Sequence, residues 1–200
     1  MTDHGPDDTR PRPRYGEGRQ ALLDAAVRVV ASAGLRGLTY RAVAAEAGVT
    51  QGLVAHHFGS RAALIHEALL AAGAQSIGST LTPERNPNIA SFIAGFGEFI
   101  ADTEELQAFQ FELVLESRRR VALRADTRAL YDSYIAATGL SLASAGLEAS
   151  ETMTRLVFAA LDGIVIQQLV YGDAARTEET VAELRALLQG LADDGVEPPG

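Results

Sequence analysis

Residues 38–64, LTYRAVAAEAGVTQGLVAHHFGSRAAL, constrain the fold more than any other stretch of this chain. Thr39 stands where an N-cap is needed, and Gly48 where a helix must stop in the left-handed region that glycine enters without strain. The interval between them fits a helix of little more than two turns. Thr50 then caps a second short helix to about Phe58, and Gly59-Ser60 breaks the chain again before a third helix that starts at Arg61. Helices this short are not stable alone and must cross over a shared core. Ala44 is the small residue expected at the crossing, and Val43, Val49 and Val54 have the spacing of the apolar knot that fixes it. Two short helices around a tight glycine turn form a helix-turn-helix, a unit that lays its second helix in a DNA groove.

The flanks predict helix nearly throughout. Leu22, Ala26, Val29, Val30 and Ala33 recur at helical period from about Glu17, and Gly34 is the expected stop. Further helices are expected near 60–77, 88–101, 104–122, 124–146, 150–172 and 177–193, with Thr177 capping the last. No stretch sustains the alternation of a strand, so the expected class is all-α. The expected domains are a disordered basic arm at 1–15, a three-helix head at 16–61 with its motif at about 38–57, and a helical body at 62–200. That body is the place for effector binding and dimerisation.

Charge separates head from body. The net charge is −9, yet residues 10–61 hold eight Arg against three acids, while residues 62–200 hold nine Arg against twenty. A basic head on an acidic body confines affinity for phosphates to one end. No cysteine is present, which excludes disulfides and thiolate metal sites. No signal-like segment and no uncharged apolar run near ~20 residues stands out, so the expected location is cytoplasmic, with no membrane partner.

Residues 19–66 resemble the DNA-binding head of the tetracycline-repressor-like (TetR) family. The likeness is carried in order by Thr39, Arg41, Ala47-Gly48-Val49-Thr50, Gly52, His57-Phe58 and Ser60-Arg61. It implies a homodimeric transcription regulator, more often a repressor, released from a palindromic double-stranded DNA operator by a small-molecule effector. One position departs from the pattern. Many members carry Tyr or Phe three residues after the recognition-helix glycine, where this chain has Ala55, with His56 beside it able to take a comparable role.

The helix-turn-helix reading puts residues 50–57 in the major groove. Gln51 is the candidate for a base edge, since a side-chain amide pairs with adenine N6 and N7, and Thr50 and Leu53 can meet a base or a thymine methyl. Thr39, Arg41, His57 and Arg61 are candidate phosphate contacts, and Tyr40, Gly52 and His56 complete the set. Arg10, Arg12 and Arg14 can enter a minor groove, although a solvated tail is the preferred reading.

In the body, Phe92, Phe96 and Phe99 fall on one helical stripe that Phe109, Leu113, Tyr131 and Tyr134 can face. An apolar effector pocket and a packed core give the same pattern. Asp162 lies alone in the apolar run LVFAALDGIVIQQLV, residues 156–170. An unpaired buried carboxylate is costly, so it calls for an Arg such as Arg118 or Arg155, a group across a dimer, or a cationic ligand. A helix apolar on all sides must be covered on all sides. The candidate seam with a second copy is Val157, Ile164, Gln168, Leu184 and Leu188. Glu112 and Glu116 lie one turn apart, and Glu116 is placed to pair with Arg120, a surface role preferred over acid–base chemistry.

Gly16-Glu17-Gly18-Arg19-Gln20-Ala21 fits a dinucleotide fingerprint in letters only, because RPRPRY precedes it rather than a strand. The four histidines have no chelating partners at helical spacing, so neither a metal nor any other cofactor is expected, and no catalytic constellation stands out. The alternative to a regulator is an all-helical enzyme or ligand carrier whose head does not bind DNA.

Overall fold

The computed structural model describes residues 15–194, which form nine α-helices and no strand. Of the expected basic arm, residues 1–14 lie outside the described residues. The head comprises α1 (Tyr15–Gly37), α2 (Tyr40–Ala47) and α3 (Gln51–Phe58). The body comprises α4 (Arg61–Thr80), α5 (Phe96–Asp102), α6 (Glu104–Ser117), α7 (Arg124–Ser144), α8 (Glu151–Tyr171) and α9 (Ala174–Asp194).

Local chemistry sets the head's boundaries. The Thr39 hydroxyl accepts from Ala42 N at 3.1 Å, and the Ser60 hydroxyl accepts from Ala63 N at the same distance. Gly48 sits at φ 68°, and Val49 N donates to Ala44 O at 2.9 Å across the turn. Val43, Ala44 and Val54 are buried, whereas Val49 is only half-buried. Thr50 has the extended backbone of an N-cap, but its hydroxyl makes no capping bond. Gly34 is non-helical at φ 67°, yet the chain resumes one more turn to Gly37.

Two apolar cores fill the molecule. The first joins α1–α4 and continues into the body through Leu106, Phe109, Leu113, Leu123 and Leu130. The second gathers α5, α8 and α9 around Phe92, Ile100, Leu142, Val157 and Leu188. α5 crosses α9 so closely at Gly97 that a Cβ there would lie 2.4 Å from Ala174 O.

Three expectations about helices need correction. The helix expected over 88–101 is broken into a 3-10 turn at Ile89–Ser91 and α5, because Ile93 (φ 55°) and Gly95 (φ 75°) leave the helical region. Buried Asn86 imposes the break by donating to Thr80 O and Thr82 O at 2.8 and 2.9 Å and accepting from Ile93 N at 2.8 Å. The helix expected over 104–122 stops at Ser117. The last helix begins before Thr177. Asp173 caps it by accepting from Arg176 N at 3.0 Å, while Thr177 is buried and donates to Gln168 Oε1 at 2.5 Å.

α8 is long and apolar enough to cross a membrane by length and composition, although Asp162 interrupts its apolar run. Its Thr154, Val157, Phe158, Leu161, Ile164, Val165 and Gln168 side is buried within the chain, so one face of it serves as a core helix.

Candidate nucleic-acid interface and effector cavity

The outer face of the head is built by two helix starts and one exposed short helix. Thr39, Arg41, Thr50, Gln51, Gly52, Leu53 and His56 are exposed, and His57 is half-buried. The free amides at the starts of α2 and α4 lie at the two capped ends of the motif, where a helix favours an anion. Behind this face, Arg28 Nε pairs with Glu46 at 2.6 Å, and Arg19 pairs with Glu67 while its guanidinium covers the Phe58 ring at 5.2 Å. These contacts fix α1 against α2 and α4.

Two candidates on that face are differently employed. The Arg61 guanidinium turns inward: its Nε donates to Leu38 O at 2.6 Å and its Nη2 to Leu35 O. Burial, with Arg120 nearby, lowers its pKa from the usual arginine value. Arg61 thus braces the α1–α2 turn, and its backbone start is what faces outward. The Tyr40 hydroxyl is buried with no hydrogen-bond partner among the described residues, and the side chain packs against the head's core.

The second site is a cavity of about 50 Å³ between α4, α5, α6, α7 and α8. Phe96, Phe99, Tyr131, Tyr134 and Asp162 line it as the sequence suggests. Phe92, Phe109 and Leu113 do not. Each is fully buried in packed core, Phe92 because the broken helix rotates it away from Phe96, and the other two because that face of α6 meets the head. Gln107, Gln110, Phe111, Ser76 and Phe158 line it unforeseen. A legible signal existed for the glutamines: two amides one turn apart on an otherwise apolar stretch demand partners.

The polar groups form two linked sets. Tyr134 donates to Gln110 Oε1 at 2.6 Å, and Gln110 donates to the Ser76 hydroxyl at 3.2 Å. Burial pushes the Tyr134 phenol up to about 12. Tyr131 donates to Asp162 Oδ2 at 3.0 Å, and burial followed by the adjacent carboxylate holds its phenol well above the usual tyrosine value. Burial raises the pKa of Asp162 above the ordinary carboxylate value, partly offset by the Tyr131 hydrogen bond. Arg155 does not serve Asp162, because it pairs with Glu151 at 3.0 Å. The Phe158 ring stacks on Tyr134 with centroids 5.7 Å apart and meets Tyr131 edge-on at 5.3 Å. A carboxylate thus lines a cavity together with the aromatic rings of Phe96, Phe99, Phe111, Tyr131, Tyr134 and Phe158.

The seam residues divide between the core and an exposed groove. Val157, Ile164, Gln168 and Leu188 are buried in the chain's own core, and Leu184 is half-buried. Beside them lie exposed apolar side chains: Leu156 and Val170 on α8, and Leu187 and Leu191 on α9, are 62, 70, 68 and 45% exposed. Met153, Ala160, Ala186 and Gly190 complete a groove there, which Val157, Leu184 and Leu188 of the expected seam also line, whereas Ile164 and Gln168 do not.

Two family models match in series. The model for bacterial regulatory proteins of the tetR family matches residues 22–68, and that for the tetracyclin repressor-like C-terminal domain matches residues 87–194. The chain belongs to the TetR family. It is a TetR-family transcriptional regulator, and regulators of this family bind DNA operators and small molecules. The multidrug binding protein EbrR in complex with proflavin is 29% identical, with a TM-score of 0.55 over 86% of this chain and 99% of that one. EbrR is also known in complex with ethidium and with malachite green. A TetR-family member from Streptomyces coelicolor A3 is 27% identical with a TM-score of 0.61, covering 84% of this chain and 98% of its own. A transcriptional regulator from Rhodococcus sp. Rha1, 21% identical, shares the fold with a TM-score of 0.66 over 90% of this chain and 99% of that one. No curated protein matches the chain.

Proposed function

We propose that this TetR-family regulator is a cytoplasmic homodimeric repressor, released from a palindromic operator when an aromatic or lipophilic organic cation fills the cavity. The observation that carries the effector class is Asp162, a carboxylate whose burial disfavours its charge and whose hydrogen-bond partner in the cavity is the Tyr131 phenol. A cation beside it would relieve that penalty. EbrR at 29% identity is complexed with proflavin, which supports the same chemistry here.

The cavity has room for only a few heavy atoms, so an aromatic effector must spread its walls. α6 is the wall that reaches the head. Gln107, Gln110, Phe111 and Val114 face the cavity, while Phe109 and Leu113 are buried in the first core. On the same helix, Glu112 Oε1 accepts from Leu35 N at 3.0 Å, holding the turn that leads into α2. Outward movement of α6 would carry that turn, and with it the spacing of the two recognition helices. DNA is released only to the extent that the cation binds the spread state more tightly.

On the head, Gln51 and Arg41 have opposite duties. Arg41→Ala removes a phosphate contact, so it should weaken all duplexes alike and lower the salt slope by ~1 per half-site. Gln51→Ala should cost ~1–3 kcal/mol on the preferred operator and little on random DNA, flattening one symmetric pair of positions. Selection from random duplexes with each variant reads both effects. An unaltered preference profile for Gln51→Ala would refute the placement of α3 in the groove.

A further inference from the structure

We propose that the turn between α6 and α7 is a second DNA-binding surface, in which Arg118 and Arg119 hold phosphates flanking the groove entered by α3. The proposal rests on the DNA-binding reading of the head and extends it to a surface of the body outside the helix-turn-helix.

Charge distribution first singles the turn out. Residues 62–200 are strongly acidic, yet five of their nine arginines fall within 118–128, where Asp126 is the one acid. Asp126 is itself engaged by His66 at 2.9 Å. Random scatter on a solvated face would intersperse these charges with the acids that dominate the rest of the body. Glu116 pairs with Arg119 at 2.6 Å and Arg120 at 3.0 Å. No carboxylate among the described residues pairs with Arg118 or Arg128, and the Arg119 side chain remains 76% exposed. A cluster of this kind raises the free protein's energy through like-charge repulsion, which a polyanion relieves.

The turn is also held by its own hydrogen bonds and by packing against the core that the head shares. Arg124 caps the end of α6, donating to Ser117 O and Arg118 O at 3.2 Å each. Leu123, in the short 3-10 turn Val121–Leu123, is buried in the core that the head shares. The arginines are therefore anchored to the head. Glu112, earlier on α6, holds Leu35 N, and Arg61 at the start of α4 holds Leu35 O and Leu38 O. Arg120 lies near enough to Arg61 to disfavour its charge. The basic turn thus follows the helix that holds the α1–α2 turn, on the side of the body that packs against the head. Exposed Arg36, in the last turn of α1, adds another cation without a carboxylate partner among the described residues.

The test is the salt dependence of duplex binding by fluorescence anisotropy, using random-sequence DNA long enough to extend past both heads. Arg118→Ala/Arg119→Ala should weaken binding to the long duplex and make its salt slope shallower by about 0.9 for each phosphate that the variant no longer neutralises. Circular dichroism confirms the fold, and Arg118→Gln alone serves if the pair does not fold. Arg41→Ala is the reference for the head. Wild-type affinity and slope in the turn variant, with Arg41→Ala weakened, would overturn this surface and leave the head reading intact. Failure of the wild type to bind any duplex at low salt would overturn both.

Discussion

Leu187→Asp should yield a folded monomer that has lost its tight grip on DNA. Leu187 is 68% exposed in the single chain, so an aspartate there costs folding little. With a second copy seated on α8 and α9, the same carboxylate would be buried opposite Leu156, Val170 or Leu191 without a partner, a penalty of about 3–5 kcal/mol. Because the interface between two copies is self-complementary, each substitution acts twice. Losing the linkage between heads should weaken operator binding roughly 10²- to 10⁴-fold. Sedimentation at micromolar concentration checks the assembly, and circular dichroism checks that the helices persist. A wild-type monomer, or a Leu187→Asp dimer, would remove the α8–α9 face from the account. Ile164→Asp is not an equivalent test, because Ile164 is buried in the chain's own core and would unfold it.

Asp162→Asn should abolish tight cation binding without weakening the fold. Burial raises the carboxyl pKa above its unfolded value. The folded protein therefore binds a proton more readily than the unfolded chain, and ionisation of Asp162 opposes folding at pH values above the raised pKa. Stability from this group grows as pH falls through that raised value towards the unfolded one. An uncharged amide removes the opposition, so the melting temperature at neutral pH should hold or rise. A hydrogen-bonded charge pair is worth about 1.5–3 kcal/mol, so proflavin should bind roughly 10- to 100-fold more weakly. In the wild type, proflavin affinity should decline with acidification at a higher pH than an ordinary carboxylate would give, since the cation needs the ionised form. Fluorescence titration of the dye reads both. Unchanged affinity in Asp162→Asn would remove the carboxylate from the site.

The head was legible because its constraints are local. Thr39, Gly48 and Ser60 act within three or four residues of themselves, and each boundary they imply is present. Arg61 was not legible, since its acceptors are carbonyls of another segment, Leu35 and Leu38. The cavity was half legible. Phe96 and Phe99 line it, but Phe92 does not, because the side chain of Asn86 holds Ile93 out of the helix from seven residues away. α8 shows the limit of periodicity. A helix apolar on every face has no phase to read, and only packing decides that Val157 and Ile164 face inward while Leu156 and Val170 face outward. Asp162 was recognised as needing a partner, but Tyr131 lies 31 residues away on another helix.

The most direct measurement follows the anisotropy of a fluorescent operator, selected from random duplexes by the wild-type protein, as malachite green is titrated in. Release should occur over dye concentrations set by the dye's own affinity for the protein, because cation and DNA compete through one conformational equilibrium. Asp162→Asn should keep its DNA over the same range, which separates release through the cavity from any action of the dye on the duplex. Dye bound to the wild type with the operator still fully held, or equal release from Asp162→Asn, would contradict the mechanism.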